Sequence, residues 1–432
     1  MKIKLSLSFT FLLSSLTYAT STSNYISGNY SLQMAYSTYT RQQGIITGTG
    51  GPSELLQSGI LQKAFTKLVH QYPGDRYTST YNEYLTDMIS SAVFPVSDAQ
   101  KDIGYPLDRF SVGNGLLNKF EETQDDKEKY GRAFQALHES IHLQPRNDQG
   151  GLWYYNVYSN WSYLDGMYSF APFYVPYAVK HENGNVTAIL ADVIKQFDLL
   201  WEHCRDNRTG LLVHGYDASK TAVWANPETG ASPHVWGRSL GWYAMALVDT
   251  LEYLNIWAQS GMLSGDALVG WPDLQEKFKC LVDALVKNVD RDSGGWWQVI
   301  DEPGKEGNYI ESSGTAMFVY SLFKGSRLGY LQDGTNATQK VDNKNASRYT
   351  DVAGKAYEML VDRFVVKNGN GTLGWNGTVT VCSLNSTASY EYYVGQPLFY
   401  NSPLGIGAFI LASLEYERFH NVTSDVPWTP LL

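Results

Sequence analysis

The chain has 432 residues, with 31 Tyr, 17 Phe and 12 Trp, and a formal net charge of −10 that becomes −12 once Lys2 and Lys4 are set aside. That acidic balance disfavours nucleic acid and anionic membrane surfaces as partners, while leaving room for a polyanionic substrate met by local cations. Three cysteines, Cys204, Cys280 and Cys382, allow at most one disulfide and exclude a disulfide scaffold.

Residues 1–19 read as a signal peptide: Lys2 and Lys4, an apolar run from Leu5 to Leu16, then the small-residue site Thr17-Tyr18-Ala19. The run is too short to span a bilayer, so the mature chain, residues 20–432, is expected to be secreted. Ten Asn-x-Ser/Thr sequons fit that route, at Asn29, Asn160, Asn185, Asn207, Asn336, Asn345, Asn370, Asn376, Asn385 and Asn421. N-glycans on some of them are expected, and Asn160 is expected to be unoccupied or to point outward.

Apolar residues then recur at spacings of three and four. The stripes are Leu61, Phe65 and Leu68; Tyr130, Phe134, Leu137 and Ile141; Val186, Ile189, Val193, Phe197 and Leu200; and Leu240, Ala244, Leu247, Leu251 and Leu254. They continue through Phe278, Leu281 and Leu285; Met317, Tyr320 and Phe323; Ala353, Ala356, Leu360 and Phe364; and Ile406, Ile410 and Leu414. Each predicts a helix. Connectors rich in Gly, Asp and Asn separate them, strand-like alternation is scarce, and no Pro/Ser-rich linker intervenes. The reading is one all-α body of packed helical hairpins. Several connectors end in tryptophan, "GGLWYY", "SGGWWQV" and "TLGWNG"; these rings either line a shared cleft or each cap their own helix pair.

No His-Glu-x-x-His, paired Cys-x-x-Cys, EF-hand loop, phosphate-binding Gly-Lys-Ser/Thr or Gly-x-Ser-x-Gly occurs, so neither metal nor cofactor is expected. Carboxylates among aromatics remain. "NWSYLDGMYSFAPF" places Asp165 among Trp161, Tyr163, Tyr168, Phe170 and Phe173, with Gly166 beside it. Desolvation there disfavours a bare carboxylate, so such an aspartate can serve as a proton donor. Asp108, in "YPLDRFSVGNG", is either a second acid, a helix cap or one half of a bridge to Arg109. "HVWGRSLGWYAMALVDTLEYL" sets Trp236, Arg238 and Trp242 at the entry to a strong helix. Arg238 there can clamp a carboxylate while the indoles stack on a sugar face, or it can be plain cation–π packing. His214 in "GLLVHGYD" is, taken alone, more commonly a hydrogen-bonded structural residue than a catalyst.

Five segments in order, "GGLWYYNVYSNWSYLDGMYSFAPFYVPYA", "GLLVHGYD", "HVWGRSLGWYAMALVDTLEYL", "GNYIESSGTAMFVYSLFKGSRLGYL" and "YYVGQPLFYNSPLGIGAFILASLE", resemble glycoside hydrolase family 105, the unsaturated rhamnogalacturonyl hydrolases. The resemblance runs from about residue 100 to residue 418 and implies an (α/α)6 barrel of six hairpins around a cleft. It implies a substrate oligosaccharide ending in a uronic acid with a C4=C5 double bond, whose vinyl ether is hydrated until the next sugar is released. By resemblance Asp165 is the general acid and base, Asp108 the second acidic residue and His214 the cleft histidine. Trp236, Arg238 and Trp242 then bind the unsaturated ring. Two departures bear on the leaving sugar: Tyr154 stands where the family often has histidine, and no aromatic precedes Gly59. Rhamnose, galactose or another neutral sugar stays open, and the protein is expected to act as a monomer. Family 88 enzymes acting on glycosaminoglycan fragments, a hydrolase of saturated glycans using Asp108 and Asp165, and a non-catalytic sugar-binding protein are the competing readings.

Overall fold

The computed structural model describes residues 29–124, 126–182, 185–331 and 348–421. The expected leader and the sequons at Asn336 and Asn345 lie outside these residues. Among the described residues, twelve helices of ten residues or more carry the fold. In chain order they are α1 (Tyr30–Thr40), α2 (Glu54–Gln71), α3 (Thr78–Val93), α4 (Gly113–Glu122), α5 (Lys127–Leu143) and α6 (Gly166–His181). The second half supplies α7 (Val186–Cys204), α8 (Gly237–Gln259), α9 (Trp271–Lys287), α10 (Ser312–Arg327), α11 (Arg348–Phe364) and α12 (Pro403–Phe419).

The even-numbered helices form a closed inner ring. α2 packs on the 3-10 lead-in of α4 (Leu107–Val112), that lead-in on α6, α6 on α8, α8 on α10, α10 on α12, and α12 back on α2. The odd-numbered helices lie outside, α3 on α2, α5 on α4, α7 on α6, α9 on α8, α11 on α10, and α1 on α12. This is an (α/α)6 barrel. Its last hairpin joins the two ends of the chain: Ser31 donates from its amide (3.0 Å) and its hydroxyl (2.6 Å) to Glu417, and Tyr72 Oη adds a third bond at 2.6 Å. All eight helices expected from apolar stripes are present, and α1, α3, α4 and α6 lie outside those stripes.

The two rings differ in what they bury. α6, α8, α10 and α12 are buried on nearly every side, as helices enclosed by neighbours must be, whereas α9 and α11 bury one stripe each. The tryptophans of the connectors divide accordingly. Trp296 donates from Nε1 to Leu285 O (2.9 Å) and packs edge-on against Phe318, and Trp375 stacks on Phe409 with centroids 4.4 Å apart. Both fill the core between helices and neither lines the cleft.

At the C-terminal end of the inner ring a charged cluster ties four helices together. Asp249 of α8 accepts hydrogen bonds from Lys63 of α2 and from Lys324 and Tyr320 of α10. Glu252 takes Lys324 at 2.6 Å, and Arg327 clamps Glu415 of α12 through two 2.8 Å bonds. Burial alone would raise the Asp249 carboxyl, but Lys324 and Lys63 outweigh it and hold the group well below the usual carboxylate range. Removing one member of such a buried set strands its partners. Asp249→Asn is therefore expected to lower unfolding stability by about 3 to 5 kcal/mol in denaturant titration, with specific activity of the folded fraction retained.

Candidate active site

Local structure brings the two ends of the site together. Strand β1 (Trp161–Tyr163) pairs antiparallel with β2 (Gly215–Asp217), Tyr163 facing Gly215, and Leu164 N donates to His214 O at 3.0 Å. That ladder sets Asp165, which follows β1, beside His214, which precedes β2. Gly215 is required here: a Cβ would lie 2.4 Å from Ser162 O. Gly166 permits the next approach, since a Cβ on it would meet Leu107 Cδ1 at 2.8 Å. Leu107 N also donates to Tyr154 O (3.0 Å) and Tyr154 N to Trp161 O (2.8 Å), so the Asp108 segment is stitched onto the same turn.

The resulting cavity, about 250 Å3, is lined by Asp108, Tyr154, Asp165, Trp236, Arg238 and Trp242, with Tyr163 and residues of the 381–392 segment closing it. Six of the seven residues singled out from sequence thus line one cavity. The seventh does not. His214 is buried behind Asp165, with Nε2 3.3 Å from Asp165 Oδ2, and it is absent from the cavity lining. The residue expected in the cleft thus lies against the aspartate, where the β1–β2 ladder places it under Asp165.

Asp165 starts α6 and is 7% exposed. Its Oδ2 accepts the hydroxyl of Ser239, from the first turn of α8. Asp108, likewise buried, is pushed up to about 7 by desolvation, a shift that Tyr154 opposes by donating to Oδ1 at 2.6 Å and that the nearness of a second carboxyl, Asp165, reinforces. The alternative of a bridge from Asp108 to Arg109 is not realised. Arg109 turns instead to Ser140 and Gln144 on the far side of its segment. Tyr154, which replaces the histidine of the resembling family, is thereby a hydrogen-bond donor to Asp108, and its ring stacks on Tyr163 at 4.4 Å.

Trp236 stands at the N-terminus of α8 with its ring 4.8 Å from the His214 imidazole, and Trp242 packs against Tyr168 at 4.4 Å. Both border the cavity, but each is only 1% exposed and packed into the core. Arg238 does two jobs. Nη1 donates to Val379 O (2.6 Å) and Nη2 to Thr380 O (2.7 Å), while the guanidinium lies 4.9 Å from the Trp236 ring and borders the cavity. It is the one cationic side chain lining that cavity among the described residues. Burial pushes the Cys382 thiol up to about 12, so it stays a neutral wall; all three cysteines are unpaired.

Ser239 and Tyr393 do not stand out in the sequence, although each lies inside a motif of the resembling family. Tyr393 Oη sits 2.8 Å from His214 Nδ1. Nothing local in "EYYVG" signals that contact, which forms only when the ring of helices closes.

The glycosyl hydrolase family 88 profile matches residues 56–420. The chain belongs to the group formed by glycoside hydrolase families 88 and 105. A family 105 glycoside hydrolase from C. acetobutylicum is 32% identical, covers 90% of this chain and 100% of its own, and superposes with a TM-score of 0.76. Protein Atu3128 of Agrobacterium fabrum is 30% identical over 233 residues, 52% of this chain and 90% of that protein. The unsaturated glucuronyl hydrolase of Bacillus sp. GL1 shares the fold at 13% identity, with a TM-score of 0.61 over 90% of this chain and 95% of its own. The protein is a glycoside hydrolase with an (α/α)6 barrel.

Asp108 gives this hydrolase a pH signature. Its folded value of about 7 lies above the ordinary 3.8, so between those values the folded protein holds a proton that the unfolded chain has released. The contribution to stability is full at low pH and is lost as pH rises to about 7. Denaturant unfolding at pH 4.5 and 7.5 should show wild-type stability, measured relative to Asp108→Asn, falling between the two.

Proposed function

We propose that the chain removes a terminal Δ4,5-unsaturated uronic acid from oligosaccharides left by polysaccharide lyases, with Asp165 as general acid and base. The observation that carries this reading is the cavity itself. A buried aspartate, the one arginine lining the cavity among the described residues and two tryptophans at its border converge in a chain of the family 88 and 105 group.

The enol ether of such a sugar is electron-rich at C4. Asp165 gives its proton to C4, and the positive charge that develops is shared by C5 and the ring oxygen. Water then bonds to C5 and returns a proton to the Asp165 carboxylate. The hemiketal formed at C5 opens, the former ring oxygen becomes a hydroxyl on C1, and C1 releases the next sugar. The anomeric carbon is never attacked. Walls of Tyr154, Tyr163, Trp236 and Trp242 keep the proton from bulk solvent until a substrate fills the space. Arg238 is suited to the single carboxylate on C5, and Asp108, held neutral up to about pH 7, is suited to hydrogen-bonding a sugar hydroxyl.

A cavity with one cation supports a neutral leaving sugar, of pectin or arabinogalactan type, over a sulfated one. The expected leader and the sequons support secretion of a glycoprotein; Asn185, Asn207, Asn370, Asn376 and Asn385 are exposed. Asn385 also borders the cavity and donates to Tyr158 Oη at 3.2 Å, so a glycan there would stand at the cleft wall.

The two carboxylates on one cavity also favour a second reading, acid and base catalysis on a saturated glycosidic bond. Ultraviolet absorbance separates the two. Lyase-generated pectin and arabinogalactan fragments should lose the absorbance of the conjugated double bond as sugar is released, and Asp165→Asn should lose at least about a thousandfold in kcat with KM little changed. Cleavage of a saturated oligosaccharide at constant absorbance would decide for the second reading.

A further inference from the structure

The contacts behind Asp165 decide which of its two oxygens can carry the acidic hydrogen. Tyr393, in the short helix Tyr390–Gly395, is fully buried, and burial first of all holds its phenol far above the ordinary value, so the group keeps its hydrogen. A buried hydroxyl needs an acceptor. Among the described residues, the acceptor within reach of Tyr393 Oη is His214 Nδ1, at 2.8 Å. Donation from tyrosine leaves Nδ1 without a proton and fixes the neutral imidazole as the Nε2–H tautomer. Nε2 is turned toward Asp165 Oδ2 at 3.3 Å, a long and poorly aligned contact of the kind that tightens when a site is occupied.

Ser239 completes the arrangement. Its hydroxyl donates to the same Oδ2, with His214 O at 3.4 Å as a weaker alternative. Oδ2 therefore faces two hydrogens, one from the serine and one from the imidazole, and a third on Oδ2 itself would collide with both. Oδ1 has no hydrogen-bond partner among the described residues, and Asp165 lines the cavity.

We propose that Tyr393 and Ser239 are positioning residues that confine the acidic hydrogen of Asp165 to Oδ1, on the substrate side. The inference rests on the reading of Asp165 as the proton donor. Once Oδ1 has given its proton to C4, the charge that remains on Oδ2 is met by Ser239 O–H and His214 Nε2–H. Oδ1 is then the bare oxygen that takes a proton from the attacking water, and the starting state returns. Tyr393 touches neither substrate nor Asp165; it acts through the imidazole.

The test uses the full-length chain and lyase-generated unsaturated oligosaccharides. Tyr393→Phe and Ser239→Ala should each lower kcat by about tenfold to a hundredfold with KM within about twofold, and Ser239→Thr should restore most of the loss. Imidazole 15N NMR should show His214 with an unprotonated Nδ1 in the wild type and a mixture of tautomers in Tyr393→Phe. A role in packing alone would lower thermal stability without moving the tautomer or separating kcat from KM. Asp165→Asn is the control. If it is inactive while both substitutions leave kcat and the His214 signals unchanged, the positioning proposal fails by itself. If Asp165→Asn keeps turnover, the reading of Asp165 as acid fails, and this proposal with it. Should Tyr393→Phe not fold, the Ser239→Ala and Ser239→Thr pair decides the matter through kcat.

Discussion

Six inner helices run in the same direction around the barrel, and the rest of the molecule depends on that alignment. The N termini of five of them open on one mouth: Leu56 of α2, Asp108 ahead of α4, Asp165 at the start of α6, Trp236, Arg238 and Trp242 at the start of α8, and Leu404 of α12 line the cavity. Amide dipoles ending there carry partial positive charge, which eases the burial of two aspartates and suits an anionic substrate. The opposite end carries partial negative charge. Lys63, Lys67, Lys324 and Arg327 gather there, locked to Asp249, Glu252 and Glu415. One polarity of packing thus builds a reactive end and a clamped end from the same helices.

The two ends share α8. Asp249 and Glu252 anchor it at the clamped end, and Arg238, Ser239 and Trp242 project from its first turns at the reactive end. Arg238 reaches further, to the carbonyls of Val379 and Thr380. That segment leads into residues 381–393, which supply Cys382, Ser383, Asn385 and Tyr392 to the cavity and Tyr393 to His214. The cation that borders the cavity is also the pin that holds its last wall. Substitution of Arg238 accordingly disturbs the order of that wall as well as the charge of the cavity.

Apolar stripes in the sequence revealed four helices of the outer ring and four of the inner one, and helices that escaped have physical reasons of their own. A helix with solvent on one side keeps an apolar stripe, as in Phe278, Leu281 and Leu285 of α9, and a stripe can be read. α6 is enclosed on all sides and carries Pro172 and Pro176, so its composition shows no period and argues against a helix. α1 hides for another reason: Ser37, Thr38 and Thr40 bond back to carbonyls one turn earlier, and residues of that kind have poor intrinsic helix preference. The site divides in the same way. Asp165, Asp108, Tyr154, Trp236, Arg238 and Trp242 stand out because carboxylates, cations and indoles beside glycines are conspicuous. Ser239 and Tyr393 do not, because an ordinary hydroxyl gains its meaning only from what the closed ring brings to it. His214 is conspicuous too, but its place behind Asp165 is fixed only by the β1–β2 ladder.

Hydration and ordinary glycoside hydrolysis differ in where the water oxygen goes. Turnover of an unsaturated oligosaccharide in H2 18O, followed by mass spectrometry of both products at early times, locates it. Hydration led by Asp165 places the label on C5 of the uronic acid product and none on the sugar released. Label on the anomeric carbon of the cleaved linkage would mean ordinary glycoside hydrolysis and would contradict the role given to Asp165.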